Sequence, residues 1–276
     1  MGQTEHRVRP EFLAALKLMD LELGGKAALV AGSSRGIGLA IAASLLAEGC
    51  KVCVTGRDAE SLQSTTNSLS EKFGKSVVTA FQGDLALSQA AQDAVKTTVG
   101  AFGRMDCLIA NLGTGRGESG YVVSEDEWDR LLRMNLNGSV SLAQAAIPHL
   151  EQQSPSAIVF VASITALEAT PAPLPYSAAK AALINYGKNL SVLLAPKNIR
   201  VNCVAPGNIS FEGGTWDIRS KQQPEQVATM LDRLVPMKRF GKPREIADLV
   251  TFLCSERASF ITGACIVADG GQTRGV

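Results

Sequence analysis

Tyr176 and Lys180 stand four residues apart in the segment YSAAK, and Ser163, in VASITA, lies thirteen residues ahead of the tyrosine. Residues at i and i+4 share one face of a helix, so a helix here presents phenol and ammonium side by side. An ordinary tyrosine, with a pKa near 10, exchanges protons poorly at neutral pH. A lysine cation beside it favours the phenolate and lowers that value. A serine hydroxyl at the end of a strand can donate a hydrogen bond to a substrate oxygen on which charge develops. Phenol, ammonium and hydroxyl together suit proton transfer to or from the oxygen of a carbonyl or an alcohol. Each residue singly has a plainer explanation: a ring packed in the core, a solvated lysine, a serine that ends a strand.

A second constellation is AGSSRGIG, residues 31–38. Glycines at 32, 36 and 38 permit a tight turn and a close approach of backbone to a ligand. A helix N-terminus behind them offers free N–H groups and partial positive charge to a pyrophosphate. A glycine-rich turn by itself is weak evidence; its place after the first strand of a strand–helix–strand unit gives it meaning. Its spacing, G-x-x-x-G-x-G, differs from the common G-x-G-x-x-G dinucleotide fingerprint.

The elements that must position these residues are legible as alternation. Apolar runs at Ala27–Val30, Lys51–Thr55, Val77–Gln82, Cys107–Ala110, Ala157–Val161, Arg200–Ala205 and Ala264–Ala268 have the composition of strands buried on both faces of a parallel sheet. Between them lie helical patterns over 36–48, 59–73, 88–102, 124–152, 176–195 and 243–255. This alternation predicts an α/β fold, a single doubly wound, Rossmann-type parallel sheet of seven strands with helices on both faces. Residues 1–23 form an N-terminal extension, with a short amphipathic helix expected around Phe12, Leu13, Leu16 and Met19, and residues 24–276 form one domain. The long connection 208–235, with Gly213-Gly214 as a hinge and with Phe211 and Trp216 offering apolar surface to a substrate, is expected to be a substrate lid.

Together with NLG at 111–113, Asn135 in MNLNG and Pro206-Gly207 after the sixth run, these motifs resemble the short-chain dehydrogenase/reductase family, its 3-oxoacyl-thioester (acyl-carrier-protein) reductase-like members in particular. The resemblance spans Leu23 to Gly271. It implies an oxidoreductase that interconverts a ketone and a secondary alcohol by hydride transfer, with Asn135, Ser163, Tyr176 and Lys180 as the catalytic set. In the family the asparagine matching Asn135 holds a water that links the lysine to solvent. The resemblance also implies that Gly32, Ser34, Arg35, Gly36, Ile37, Gly38, Asp84, Leu85, Asn111, Gly113, Tyr176, Lys180, Pro206, Gly207 and Ile209 meet a nicotinamide cofactor. Asp84 matches an adenine contact, and Ile209 lies against the nicotinamide. A homodimer or homotetramer is expected on the same ground. The alternatives are a dehydrogenase of a sugar, polyol or other secondary alcohol, and a non-catalytic cofactor-binding regulatory protein. The intact catalytic set speaks against the latter.

Cofactor choice rests on the tip of the second strand, where an acidic residue would grip the ribose hydroxyls of NAD. Here that position is Gly56, followed by Arg57, and Arg35 stands in the glycine turn. Two arginines and no acid suit the 2′-phosphate of NADP(H), with NAD(H) as the alternative. Two departures from the family stand out. Ala31 replaces the usual threonine, removing a side-chain hydrogen bond from the turn. Leu112 replaces a small residue, which is expected to shift the cofactor or narrow the pocket.

Composition bounds the remaining functions. A formal net charge of +1, with both signs interspersed, leaves no footprint for nucleic acid or an anionic membrane. No apolar run approaches the roughly 20 residues of a membrane span, and no secretory leader is evident, so a cytoplasmic enzyme acting on a small-molecule or acyl-thioester substrate is expected. Cys50 and Cys53 spell C-x-x-C, but at the start of a strand such residues point to opposite faces, so neither a redox pair nor a metal site is expected. With two histidines in the chain, no metal is expected elsewhere.

Overall fold

Each apolar run becomes a strand of one parallel sheet in the computed structural model, which describes residues 20–275. The strands are β1 (Ala27–Val30), β2 (Lys51–Gly56), β3 (Val78–Gln82), β4 (Cys107–Ala110), β5 (Ser156–Val161), β6 (Ile199–Pro206) and β7 (Cys265–Ala268), in the order β3-β2-β1-β4-β5-β6-β7. Every neighbouring pair is parallel. β1, β4, β5 and β6 are buried along their whole length, which explains why their sequences do not alternate.

Helices α1 (Gly36–Ala47), α2 (Ala59–Phe73) and α9 (Pro243–Cys254) cover one face through Ile41, Leu45, Leu62, Leu69, Ile246 and Leu253. Helices α3 (Ser88–Phe102), α5 (Gly138–Leu150) and α6 (Leu174–Leu194) cover the other through Val95, Leu142, Leu150 and Leu183. Cys50 packs in the first layer and Cys53 in the second, so the C-x-x-C thiols are separated by the sheet. The chain runs outward from β1 to β3, then returns to place β4 on the other side of β1. At this switch the loops leaving β1 and β4 diverge and open a crevice above their carboxyl ends.

Three expectations are revised. The helix expected over 124–152 is interrupted: α4 (Glu125–Leu132) and α5 are joined by a wide turn over Arg133–Asn137, in which the Gly138 N–H reaches back five residues to the Arg133 carbonyl. The Asn135 side chain takes the Leu131 carbonyl at 3.0 Å, the oxygen its own N–H would use in a regular helix, and the backbone widens there. The connection 208–235 is mostly helical, with α7 (Thr215–Gln222) and α8 (Pro224–Leu234). The packed unit also reaches back past the expected boundary at 23/24, because Leu23 is buried in the core and Leu21 packs against it. The helix expected around Phe12–Met19 lies outside the described residues.

Candidate active site

The β1–α1 turn is assembled by side chains as well as glycines. Ser33 Oγ donates to the Val30 carbonyl at 2.7 Å and accepts the Thr55 N–H at 2.8 Å, while the Gly32 N–H donates to Thr55 Oγ1 at 3.0 Å. This knot, drawn from β2, compensates for the hydrogen bond that Ala31 lacks. Asn111 at the end of β4 donates through Nδ2 to the carbonyls of Ala31 and Gly32 at 3.3 and 3.1 Å, fixing the two lips of the crevice to each other. A Cβ on Gly38 would lie 2.2 Å from the Gly32 carbonyl oxygen, so only glycine lets α1 start this close to the turn.

Among the described residues, the N–H groups of Gly36, Ile37 and Gly38 have no hydrogen-bond partner, and the N-cap residue Arg35 contributes no capping side chain. The turn therefore presents free donors and the positive end of α1 to the crevice. Ser34 packs its side chain against Gly56 at the tip of β2. Arg35 and Arg57 are exposed, and neither guanidinium has an acidic partner among the described residues. The nearest acid in sequence, Asp58, is committed to capping α2, where it accepts the Ser61 N–H at 2.8 Å and is held below its usual pKa by that bond. Asp84 is exposed at the end of β3 and accepts the Ala86 N–H; Leu85 beneath it is buried.

The proton-transfer residues converge on the same crevice from β5 and α6. Lys180 is buried, and its Nζ donates to the Leu112 carbonyl at 2.8 Å and the Val161 carbonyl at 2.9 Å, which ties α6 to the ends of β4 and β5. Burial lowers its pKa to about 8. Burial raises the Tyr176 phenol above its ordinary value, and the Ser163 hydroxyl beside it pulls it back down. Lys180, expected to lower this value, turns its ammonium to two backbone carbonyls. Asn135 is buried and spends its amide on backbone: Oδ1 accepts the Thr114 N–H at 3.0 Å, and Nδ2 donates to Thr114 and Leu131 carbonyls. Gly113, at φ +142°, sits between the two: a Cβ there would lie 2.2 Å from Asn135 Oδ1 and 3.1 Å from Lys180 Nζ.

The remaining expected contacts are placed less simply. Leu112 turns its side chain inward against Gly138 of α5, so it does not narrow the crevice. Pro206 ends β6, the Gly207 N–H is held by the Ala268 carbonyl at 3.0 Å, and Ile209 is buried against Gly241. Phe211, expected in the substrate pocket, instead brings its ring tip over Gly36 of the glycine turn. Sequence reasoning missed the chain's C-terminal segment altogether. Glu168, in the loop after Ser163, accepts the backbone N–H groups of Arg274 and Gly275, and Asn208 donates to Gln272 at 2.8 Å. Backbone donors carry no side-chain signature, so nothing in the residue types announced this.

The family model described as enoyl-(acyl carrier protein) reductase matches residues 31–273. The dehydrogenase/reductase SDR family member 4 of Oryctolagus cuniculus is 35% identical over 252 residues, covering 90% of this chain and 94% of the relative. The chain belongs to the short-chain dehydrogenase/reductase family. A second relative, the 3-oxoacyl-[acyl-carrier-protein] reductase FabG of Aquifex aeolicus, is 32% identical over 254 residues, 92% of this chain and 100% of the relative. Among solved structures, L-sorbose reductase from Gluconobacter frateurii, complexed with NADPH and L-sorbose, superposes with a TM-score of 0.87 at 32% identity, covering 94% of this chain and 100% of that one. This short-chain dehydrogenase/reductase is thus an oxidoreductase, and the cofactor bound in the L-sorbose reductase complex is NADPH. The residues of this chain fit that cofactor: the unpartnered N–H groups at Gly36–Gly38 suit a pyrophosphate, and two arginines free of acidic partners suit a 2′-phosphate.

Proposed function

We propose that the enzyme reduces a ketone that carries apolar surface, of the 3-oxoacyl-thioester kind, and that Tyr176 delivers the proton to the carbonyl oxygen. The observation that carries this reading is the convergence of Tyr176, Ser163 and Lys180 on the crevice whose other lip is the glycine turn. NADPH, when bound, supplies the hydride. Ser163 orients the carbonyl and stabilises the charge that grows on its oxygen. A phenol whose pKa burial keeps high holds its proton at neutral pH and is matched to the role of acid. Lys180 sits behind it as a buried cation, and Asn135, adjacent through Gly113, marks the route by which the proton is replaced. The half-exposed Leu167 and Leu174 beside the site favour a substrate with an apolar portion.

A second reading, a sugar or polyol substrate, has its own support. Among the described residues, the buried hydroxyl oxygens of Thr165 and Thr170, in the loop between Ser163 and Tyr176, have no partner, and such groups suit substrate hydroxyls. The working unit is a homo-oligomer, which exposed apolar side chains on α6 favour, and the compartment is the cytoplasm, which six unbridged cysteines suit.

The test follows NADPH absorbance with acetoacetyl-CoA and with L-sorbose and other ketoses. Turnover of the thioester above the ketoses is expected, and the reverse order replaces the first reading by the second. Tyr176→Phe should lower kcat by about 10²–10⁴-fold while leaving the NADPH Kd and the melting temperature near wild type. Unchanged turnover in that variant would move the proton-donor role elsewhere.

A further inference from the structure

The first turn of α1 has a neighbour that its chemistry does not invite. Gly36, Ile37 and Gly38 offer N–H groups with no partner among the described residues, at the positive end of a helix. An apolar ring is a poor neighbour for such donors, yet Phe211 lies against Gly36. A Cβ built on Gly36, whose φ is +59°, would stand 2.7 Å from Phe211 Cζ, 2.8 Å from Cε2 and 3.0 Å from Cε1. On its far side the ring is backed by Gly214, where a Cβ would come within 3.1 Å of Cε1 and Cζ.

The ring is also coupled to the segment that follows it. The Gly214 N–H donates to the Phe211 carbonyl at 2.9 Å, closing a tight turn, and the Gly213 N–H donates to Asp217 Oδ2 at 2.9 Å in the first turn of α7. One residue earlier, Trp216 packs on Phe240 with ring centroids 5.3 Å apart. The backbone of Phe211 is thus joined to the base of α7.

We propose that Phe211 is a plug on the cofactor's pyrophosphate seat, and that its displacement, carried into α7 and α8, sets how fast and how tightly NADPH binds. This rests on the assignment of the β1–α1 turn to the cofactor. While the ring lies against Gly36, it takes up space beside the donors that would meet the pyrophosphate. Binding thus requires the minor, unplugged state, and the apparent Kd is the intrinsic one divided by that state's population. Removing the ring makes the open state the ground state.

The experiment is stopped-flow binding of NADPH, read by nicotinamide fluorescence, together with equilibrium Kd, for wild type, Phe211→Ala and Phe211→Leu. If the plugged state holds about nine-tenths of the molecules, Phe211→Ala should raise the association rate and lower the Kd by about tenfold, with Phe211→Leu between the two. Weaker binding by both variants would mean that the ring packs on bound cofactor, and unchanged constants would mean that it is a bystander; either overturns the plug. Should Phe211→Ala fail to fold, the direction of the change in Phe211→Leu decides alone. Failure of wild type to bind NADPH would instead refute the seat itself. A variant carrying Trp128→Phe leaves Trp216 as the chain's one tryptophan, and its emission should shift on NADPH binding as the turn moves.

Discussion

Lys180 brings a positive charge into a buried site and meets two carbonyl oxygens there rather than a carboxylate. Folding lowers its proton affinity from the ordinary 10.5 to about 8. Between those values the unfolded chain holds a proton that the folded protein has released, so this group's contribution to stability rises with pH across the window and is least favourable below it. Lys180→Met lacks the effect. Urea unfolding from pH 8 upward should show the wild-type stability gaining on the variant, with a slope approaching about 1.4 kcal/mol per pH unit. The neighbouring thiol of Cys203, held at about 12 by burial, stays protonated in the folded state of the wild type throughout that window. A flat or falling difference would mean that water reaches the ammonium. The identities of Tyr176, Lys180, Ser163 and Asn135 were legible in the sequence because side-chain chemistry and spacing are written there. The direction in which Lys180 points was not, since its partners are backbone carbonyls common to every residue. The free cofactor donors at Gly36–Gly38 were legible for the opposite reason: a helix start after a strand leaves N–H groups unpaired whatever the side chains are.

At the scale of elements, strand and helix cores follow the pattern of buried positions closely, and the differences arise where a side chain or the lack of burial overrides pattern. Asn135 widens the backbone between α4 and α5 by taking the Leu131 carbonyl, an event that no apolar periodicity records. Helix α7 has no buried residue at all, so it lacks the apolar stripe by which a sequence announces a helix. Contact at the glycine turn, by contrast, was legible, and it yields a paired test. Gly38→Ala would set a methyl 2.2 Å from the Gly32 carbonyl oxygen and 2.7 Å from Asn111 Nδ2. It should destabilise the fold by about 1–3 kcal/mol and weaken NADPH binding, because the turn and α1 must separate. Gly100→Ala, near the end of α3, meets nothing within 4 Å and has an ordinary helical φ, so it should stabilise by about 0.5–1 kcal/mol. Thermal or urea unfolding of the two variants checks both signs, and equal effects would contradict the close approach of α1 to β1.

At the scale of the whole molecule, the sheet ends in two edges, and among the described residues the β7 edge lies beside exposed apolar side chains. Val267 on β7 is 39% exposed and Phe260 just before it is fully exposed. The last turns of α6 leave Val192 and Leu193 at 67% and 70% exposure. The structure keeps large exposed apolar residues on α6, whereas α5 spends its apolar side chains on the core. An unpaired sheet edge and bulky apolar side chains in water are both features that soluble proteins cover, and a second copy of the chain covers them at no cost in new sequence. Light scattering on the purified enzyme should therefore return a dimer or tetramer at micromolar concentration. Phe260→Arg and Leu193→Arg place a charge that a dry interface cannot accommodate and should each shift the mass toward that of one chain, with little loss of monomer stability because both sites face solvent in the monomer. A variant that falls to monomer yet keeps its NADPH affinity would show that the cofactor site is complete within one chain. A wild-type protein that is already monomeric would leave these faces as open surface and remove the oligomer from the account.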